Sequence, residues 1–300
     1  LMYNADVKQR WIDVKEGNTI SSKNYYGNKM DNAEPYEKLF NKDLCNFTVS
    51  EILDMYKGMN FYSPNTIYIT NKLYADYTDW CINEGLVTDS QNHYLLITRE
   101  MTIDCVNVSA MKSRVISRET VIDWCNQAWN AADRFLLLGL FEGIKGNRYV
   151  DFTDTKIQDV DGNKIHLASG RTLDFSDKLI GYAYASHEEN QWIYYGTEAV
   201  SPLVAGDEIM RQVARAISNT DQNKWHRIFM RSKRLFDYLG ILGVVSMNAI
   251  RISGAIDYIN RSAKEEGVNA KTYIENHKEE IEYRYMKMYK FYETYKDFLV

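Results

Sequence analysis

Residues 135–177 read FLLLGLFEGIKGNRYVDFTDTKIQDVDGNKIHLASGRTLDFSD. The apolar run ending at Phe141 passes into a glycine turn, Gly143 to Gly146, and Arg148 follows almost at once. Glycine ends helices because it enters the left-handed region without a Cβ clash. A cation there also meets the negative end of the helix dipole, so local rules alone account for Arg148. The period then changes. VDGN at 160–163 is a turn, and NKIHLA (163–168) and RTLDFS (171–176) alternate apolar and polar residues across Ser169-Gly170. That pattern predicts a β-hairpin.

Upstream, the signals are helical. Trp11 and Ile12 predict a short helix, with a loop from there to Pro35. TVSEILDMY (48–56) reads as a capped helix, Thr48 or Ser50 capping and Glu51 in the first turn. Ser63 can cap a helix starting at Pro64, whose apolar face is Ile67, Ile69, Leu73, Tyr74, Tyr77 and Trp80 and which Gly85 ends. This predicts a bundle of short helices. Between Cys105 and Arg118 lie Lys112, Arg114 and Arg118 with no acid, the composition of a basic linker. Ser117 then caps a new helix with Glu119 in its first turn, an apolar helix spans Trp129–Phe141, and most of the chain after the hairpin reads as helix. The resulting division is an N-terminal helical domain over 1–108, a linker over 109–118 and a second domain over 119–300. The fold class is mainly α with a small β-hairpin or sheet (α+β).

With 300 residues the chain is long enough for two ordinary domains. Only 3 prolines and 16 glycines suit a largely helical protein. Cys45, Cys81, Cys105 and Cys125 form no CxxC, which favours reduced thiols over disulfides or a zinc site. No metal and no cofactor is expected. No apolar run reaches membrane-spanning length and the start does not read as a signal peptide, so a cytoplasmic, nucleoid-associated location is expected. Net charge is −5, against a nonspecific nucleic-acid coat. The charge is sorted, however. Between Lys178 and Arg211 there are acids and no Lys or Arg, whereas NKWHRIFMRSKRLF (223–236) carries Lys224, Arg227, Arg231, Lys233 and Arg234 with no acid. One such face can be aimed at phosphates, or simply be a solvated helix face.

GNRYVDF (146–152), with Asp159 after it, falls without a gap on the first arginine box of the tyrosine recombinases, GLRxSEL followed by an Asp. NAIR (248–251) resembles their second box, HxLR, and Ser253-Gly254 continue the helix. The region from 48 to 87 resembles their SAM-like core-binding domain. The chain is thus similar to the phage integrase family over about residues 36–300. That resemblance implies a helical core-binding domain joined to a catalytic-type domain, with Arg148 and Arg251 gripping one DNA phosphate. Arginine suits the task because its planar fork offers two aligned donors to a tetrahedral anion.

The departures bear on chemistry. The family's hairpin-turn lysine, its general acid, is missing from LASGRTL (167–173); Arg171 matches an arginine that often follows, and Lys164 sits in the preceding strand. Asn248 replaces the histidine and cannot shuttle a proton. The nucleophile box is blurred to YIENHKEEIEYRYMKMY (273–289), whose tyrosines read as an aromatic face of the last helix. Losing one preorganised donor at a developing charge typically costs about 3–4 kcal/mol of barrier. The resemblance therefore implies a DNA binder with no catalytic residues, like the inactive recombinase-like repressors of prophages. Its nucleic-acid contacts would be Arg148, Arg251, Arg171, Asn248, Lys224, Arg227, Arg231, Lys233, Arg234, Lys112 and Arg114. Its partner would be double-stranded operator DNA, with a homo-oligomer on DNA and a phage or host regulatory protein as further partners. Two other readings stay open: a divergent recombinase using Tyr285 and His277, and an interaction module that has lost DNA.

Overall fold

The computed structural model describes residues 2–15, 19–61, 63–107, 115–197, 199–213, 221–285, 287–288 and 291–300. Two compact units divide the chain, Leu1–Lys112 and Ser113–Val300. Among the described residues, no helix is long and apolar enough to cross a membrane.

The first unit is helical: α1 (Ala5–Val14), α2 (Ile20–Phe40), α3 (Val49–Gly58), α4 (Pro64–Asn83) and α5 (Arg99–Asp104). The loop expected up to Pro35 is instead α2, which runs through the proline. Tertiary contacts override the local signal here. Met30, Ala33 and Glu37 share one buried face, and the Glu37 carboxylate accepts from Lys8 Nζ at 2.5 and 2.7 Å and from the Leu44 N–H at 2.9 Å. Lys8 and Glu37 are both fully buried. Burial pushes the Glu37 carboxyl up to about 7, against the pull of the Lys8 ammonium. Thr48 caps α3 in a reciprocal box with Glu51. Ser63 occupies the N-cap of α4, but its side chain makes no capping bond. Thr48→Ala is expected to cost about 1 kcal/mol, the usual loss of a cap, seen as a lower urea midpoint.

The second unit is built around α7 (Ala131–Glu142), preceded by α6 (Arg118–Gln127). Every residue of α7 from Ala132 onward except Arg134 is buried, as expected of a helix wrapped on all sides. It ends at Gly143, φ 103°, and Ile144 N–H closes the turn on Gly139 O at 2.7 Å. A three-stranded antiparallel sheet follows: β1 (Val160–Asp161), β2 (Lys164–His166) and β3 (Thr172–Asp174), with Ile165 opposite Leu173. After α9 (Asp177–Glu188), which α8 (Val150–Thr153) precedes in the chain, a second hairpin pairs β4 (Gln191–Ile193) with β5 (Val200–Pro202). The alternation that marks it is only three residues long on each strand, too short to stand out in the sequence.

Helix α10 (Asp221–Tyr238) leads to α11 (Met247–Glu266), which packs directly on α7. An ideal Cβ at Gly254 would lie 1.7 Å from Phe141 O, so only glycine permits this crossing. Ser253 adds a tie, its Oγ accepting Ile116 N–H at 2.9 Å. The aromatic face expected on one last helix is distributed over three short ones, α12 (Ala270–Asn276), α13 (Lys278–Arg284) and α14 (Phe291–Tyr295). The break falls at His277, whose backbone (φ −114°, ψ 23°) is not helical. Ile281, Tyr285 and Phe291 then face Ala255, Ile256 and Ile259 in one apolar cluster. Tyr289 lies outside the described residues.

Candidate nucleic-acid interface

The glycine turn sets the site. Gly146 has φ 68°, and a Cβ there would meet Val150 Cγ1 at 2.6 Å and Asp151 Cγ at 3.0 Å. Arg148 (φ 49°) and Tyr149 (φ 60°) both follow in the left-handed region, which costs a non-glycine residue about 1–2 kcal/mol. Arg148 is exposed and, among the described residues, makes no hydrogen bond or ion pair. It lines an open cleft of about 230 Å³ with Asp154 and Lys224, which pair with each other at 2.7 Å.

Asp151, in contrast, is fully buried and organises the other side of the turn. Its Oδ1 accepts Ser169 N–H at 2.8 Å, fixing the sheet's hairpin turn. Its Oδ2 accepts Arg171 Nη2 at 2.6 Å and Lys145 N–H at 3.4 Å. Arg171 Nη1 also donates to the carbonyls of Gly143, Tyr283 and Arg284 at 3.2, 3.1 and 2.8 Å. Lys145 Nζ donates to the Tyr285 carbonyl. Burial, then the charges of Arg171 and Arg251, hold the Lys145 ammonium down to about 8, with Asp151 opposing. Burial likewise lowers the pKa of Arg251. Arg251 Nη2 donates to Asn248 Oδ1 at 2.7 Å, while its Nε is buried and finds no acceptor among the described residues. Lys145, Arg171 and Arg251 thus share one electrostatic neighbourhood.

The structure places the residues expected to contact nucleic acid as follows. Arg171, Arg251 and Asn248 come together, and Arg148 stands in the cleft with Lys224. Lys145, which the sequence reading did not single out, joins Arg171 and Arg251; the available signal was its place between two glycines in GIKGNR. The basic run of α10 is not one solvated face. Lys224, Arg227, Arg231 and Arg234 follow a 3, 7, 10 spacing that puts them on one stripe of a helix. Arg227 donates to Gln212 Oε1 at 2.7 Å. Arg231 pairs with fully buried Asp133 at 2.8 Å and lies 3.8 Å over the Trp192 ring. Burial raises the Asp133 pKa and Arg231 opposes it. Lys233 and Arg234 are exposed. Lys112 and Arg114 lie outside the described residues.

The features of the other readings are placed as follows. Tyr285 is 3% exposed, its ring against Tyr258 and its phenol pKa raised by burial. His277 is paired with Glu266 at 2.9 Å and stacked on Tyr273. The four cysteines are buried and free. No group of three or more His, Cys, Asp or Glu side chains could hold a metal among the described residues.

Comparison with known proteins gives two family matches, "MrpR, N-terminal core-binding domain" over residues 2–83 and "MrpR, C-terminal catalytic domain" over residues 115–299. A curated relative is the SPbeta prophage-derived uncharacterized protein YopR of Bacillus subtilis (strain 168), 24% identical over 201 residues, or 64% of this chain. The chain spans 60% of that relative's length. Among solved structures, a lambda integrase (75-356) dimer bound to a COC' core site matches with a TM-score of 0.37 and 14% identity, over 87% of this chain and 88% of that one. The two family matches together take in most of the sequence, and the chain belongs to the MrpR family, a tyrosine-recombinase-like scaffold of core-binding and catalytic-type domains.

Proposed function

We propose that the chain is a sequence-specific DNA-binding repressor on an inactive recombinase scaffold, maintaining a prophage in the silent state. The observation that carries this reading is the cationic group Lys145, Arg171 and Arg251, kept beside a hairpin turn that offers Ala168-Ser169-Gly170 and no lysine. Arg251 has a buried Nε without an acceptor among the described residues, and a phosphate oxygen is a natural partner for such a donor. Arg148 and Lys224 at the cleft, with Lys233 and Arg234 on α10, supply exposed positive charge for the flanking backbone. The prophage setting is suggested by the relative's name.

Arg148→Ala and Arg251→Ala are each expected to weaken binding to operator DNA from the resident prophage by about 1.5–3 kcal/mol, the scale of a charge-assisted hydrogen bond. Gel shifts at several salt concentrations measure this, and wild-type affinity in both variants would remove these two arginines from the reading. A second reading, a divergent recombinase, has one observation in its favour. Lys145, with its pKa drawn down to about 8, stands among the arginines, where a proton donor would be useful. Against it, the Tyr285 ring is buried and its pKa raised, the reverse of an activated nucleophile. A covalent adduct trapped on nicked DNA, and lost in Tyr285→Phe, would establish the second reading over the first.

A further inference from the structure

The basic stripe of α10 borders a cavity that shares only its rim cations, Lys224 and Arg234, with the DNA contacts proposed above. The cavity, about 330 Å³, lies between α10, the second hairpin and the segment 210–213. Among the described residues, six basic side chains line it, Arg211, Lys224, His226, Arg227, Arg231 and Arg234, and no acidic one does. In a chain of net charge −5 such a one-sided lining calls for a counter-charge. Asp154 and Asp133 neutralise Lys224 and Arg231 from outside the lining. Arg211 is held by the Glu189 carbonyl and by Asn190 Oδ1 at 3.3 Å. Two donors on lining side chains, Arg211 Nε and Arg231 Nη2, are buried and find no acceptor among the described residues. A buried donor left unpaired is costly, and such groups in native proteins call for a ligand, ion or water. Apart from Thr153 and Gln212, the rest of the described wall is apolar or aromatic, including Trp192, Tyr194, Met210, Ile228 and Met230. The size falls within the range of small-molecule sites, which combine an apolar wall with a few polar groups.

We propose that this cavity binds a small organic anion, a phosphate or carboxylate head on a compact apolar body. The head meets the arginines and the body meets the methionine and isoleucine wall. A duplex is too thick to enter: its backbone would touch the rim cations only. The proposal stands whether or not the chain binds DNA.

Isothermal titration calorimetry of the whole chain with 1-naphthyl phosphate and 1-naphthoate tests it, with inorganic phosphate and 1-naphthol as head-only and body-only controls. At least one naphthyl anion is expected to bind one-to-one, at least about tenfold tighter than either control. The two naphthyl arms distinguish a phosphate from a carboxylate head. Arg234→Gln removes an exposed rim cation without touching the core, and Met230→Trp fills the cavity; each is expected to weaken binding about tenfold, whereas Lys264→Gln, on α11, leaves it unchanged. The idea is overturned if neither naphthyl anion outbinds its controls, or if Arg234→Gln and Met230→Trp bind like wild type.

Discussion

Gly254→Ala is expected to destabilise the second unit by about 3 kcal/mol or more, at the upper end of what overpacking costs. The added methyl would fall 1.7 Å from Phe141 O, 2.6 Å from its carbonyl carbon and 2.9 Å from its Cα. These are backbone atoms of the central helix, so no side-chain rotation relieves the clash. The two helices must move apart, and Arg251, one turn earlier on α11, moves with them. Loss of apolar contact and misplacement of the cation therefore come together. Urea unfolding followed by near-ultraviolet circular dichroism reads the first effect, and gel shift the second. A wild-type midpoint would show that the helices do not approach this closely.

Asp151→Ala should cost about 3–5 kcal/mol, the loss typical when one partner of a buried ion pair is removed. The carboxylate is fully buried and serves Arg171, Ser169 and Lys145 at once. Without it the hairpin turn loses its anchor, and two cations stand close together with no anion between them. Asp151 holds the Lys145 pKa up against burial and the arginines. A variant that still folds should therefore show the Lys145 ammonium titrating below its wild-type value of about 8. Amide hydrogen exchange is the sharper assay, because the protection of Ser169 N–H depends on that carboxylate alone. Protection equal to wild type at Ser169 would show that the turn is held by something else.

How much of this was legible depended on the range over which each signal acts. The glycine turn, the capped helix at Thr48 and the hairpin 163–176 follow from local rules, and the residues carrying them are adjacent in sequence. Helix α2 was read as a loop because its reason for being helical is Glu37 meeting Lys8 across 29 positions. The stripe on α10 could be drawn from its spacing, but what covers it is a hairpin of three-residue strands around Trp192 that no periodicity reveals. Lys145 was passed over for the same reason. Its neighbours, Arg251 and the Tyr285 carbonyl, lie more than a hundred residues downstream.

The carbonyls of Tyr283, Arg284 and Tyr285 hold Arg171 and Lys145, and this imposes an order of assembly during synthesis. Translation delivers the two cations long before their acceptors, while domains generally fold from the N-terminus as they emerge. The hairpin and α7 can form early, with the Lys145 ammonium and part of the Arg171 fork still turned to water. Only when residues 283–285 arrive does the group lock into the geometry described above. A chain cut by a stop codon or protease before residue 283 would thus keep most of its core and its exposed charge. On the DNA-binding reading proposed above, its grip would be unformed, competent for loose attraction to polyanions and unable to discriminate among them.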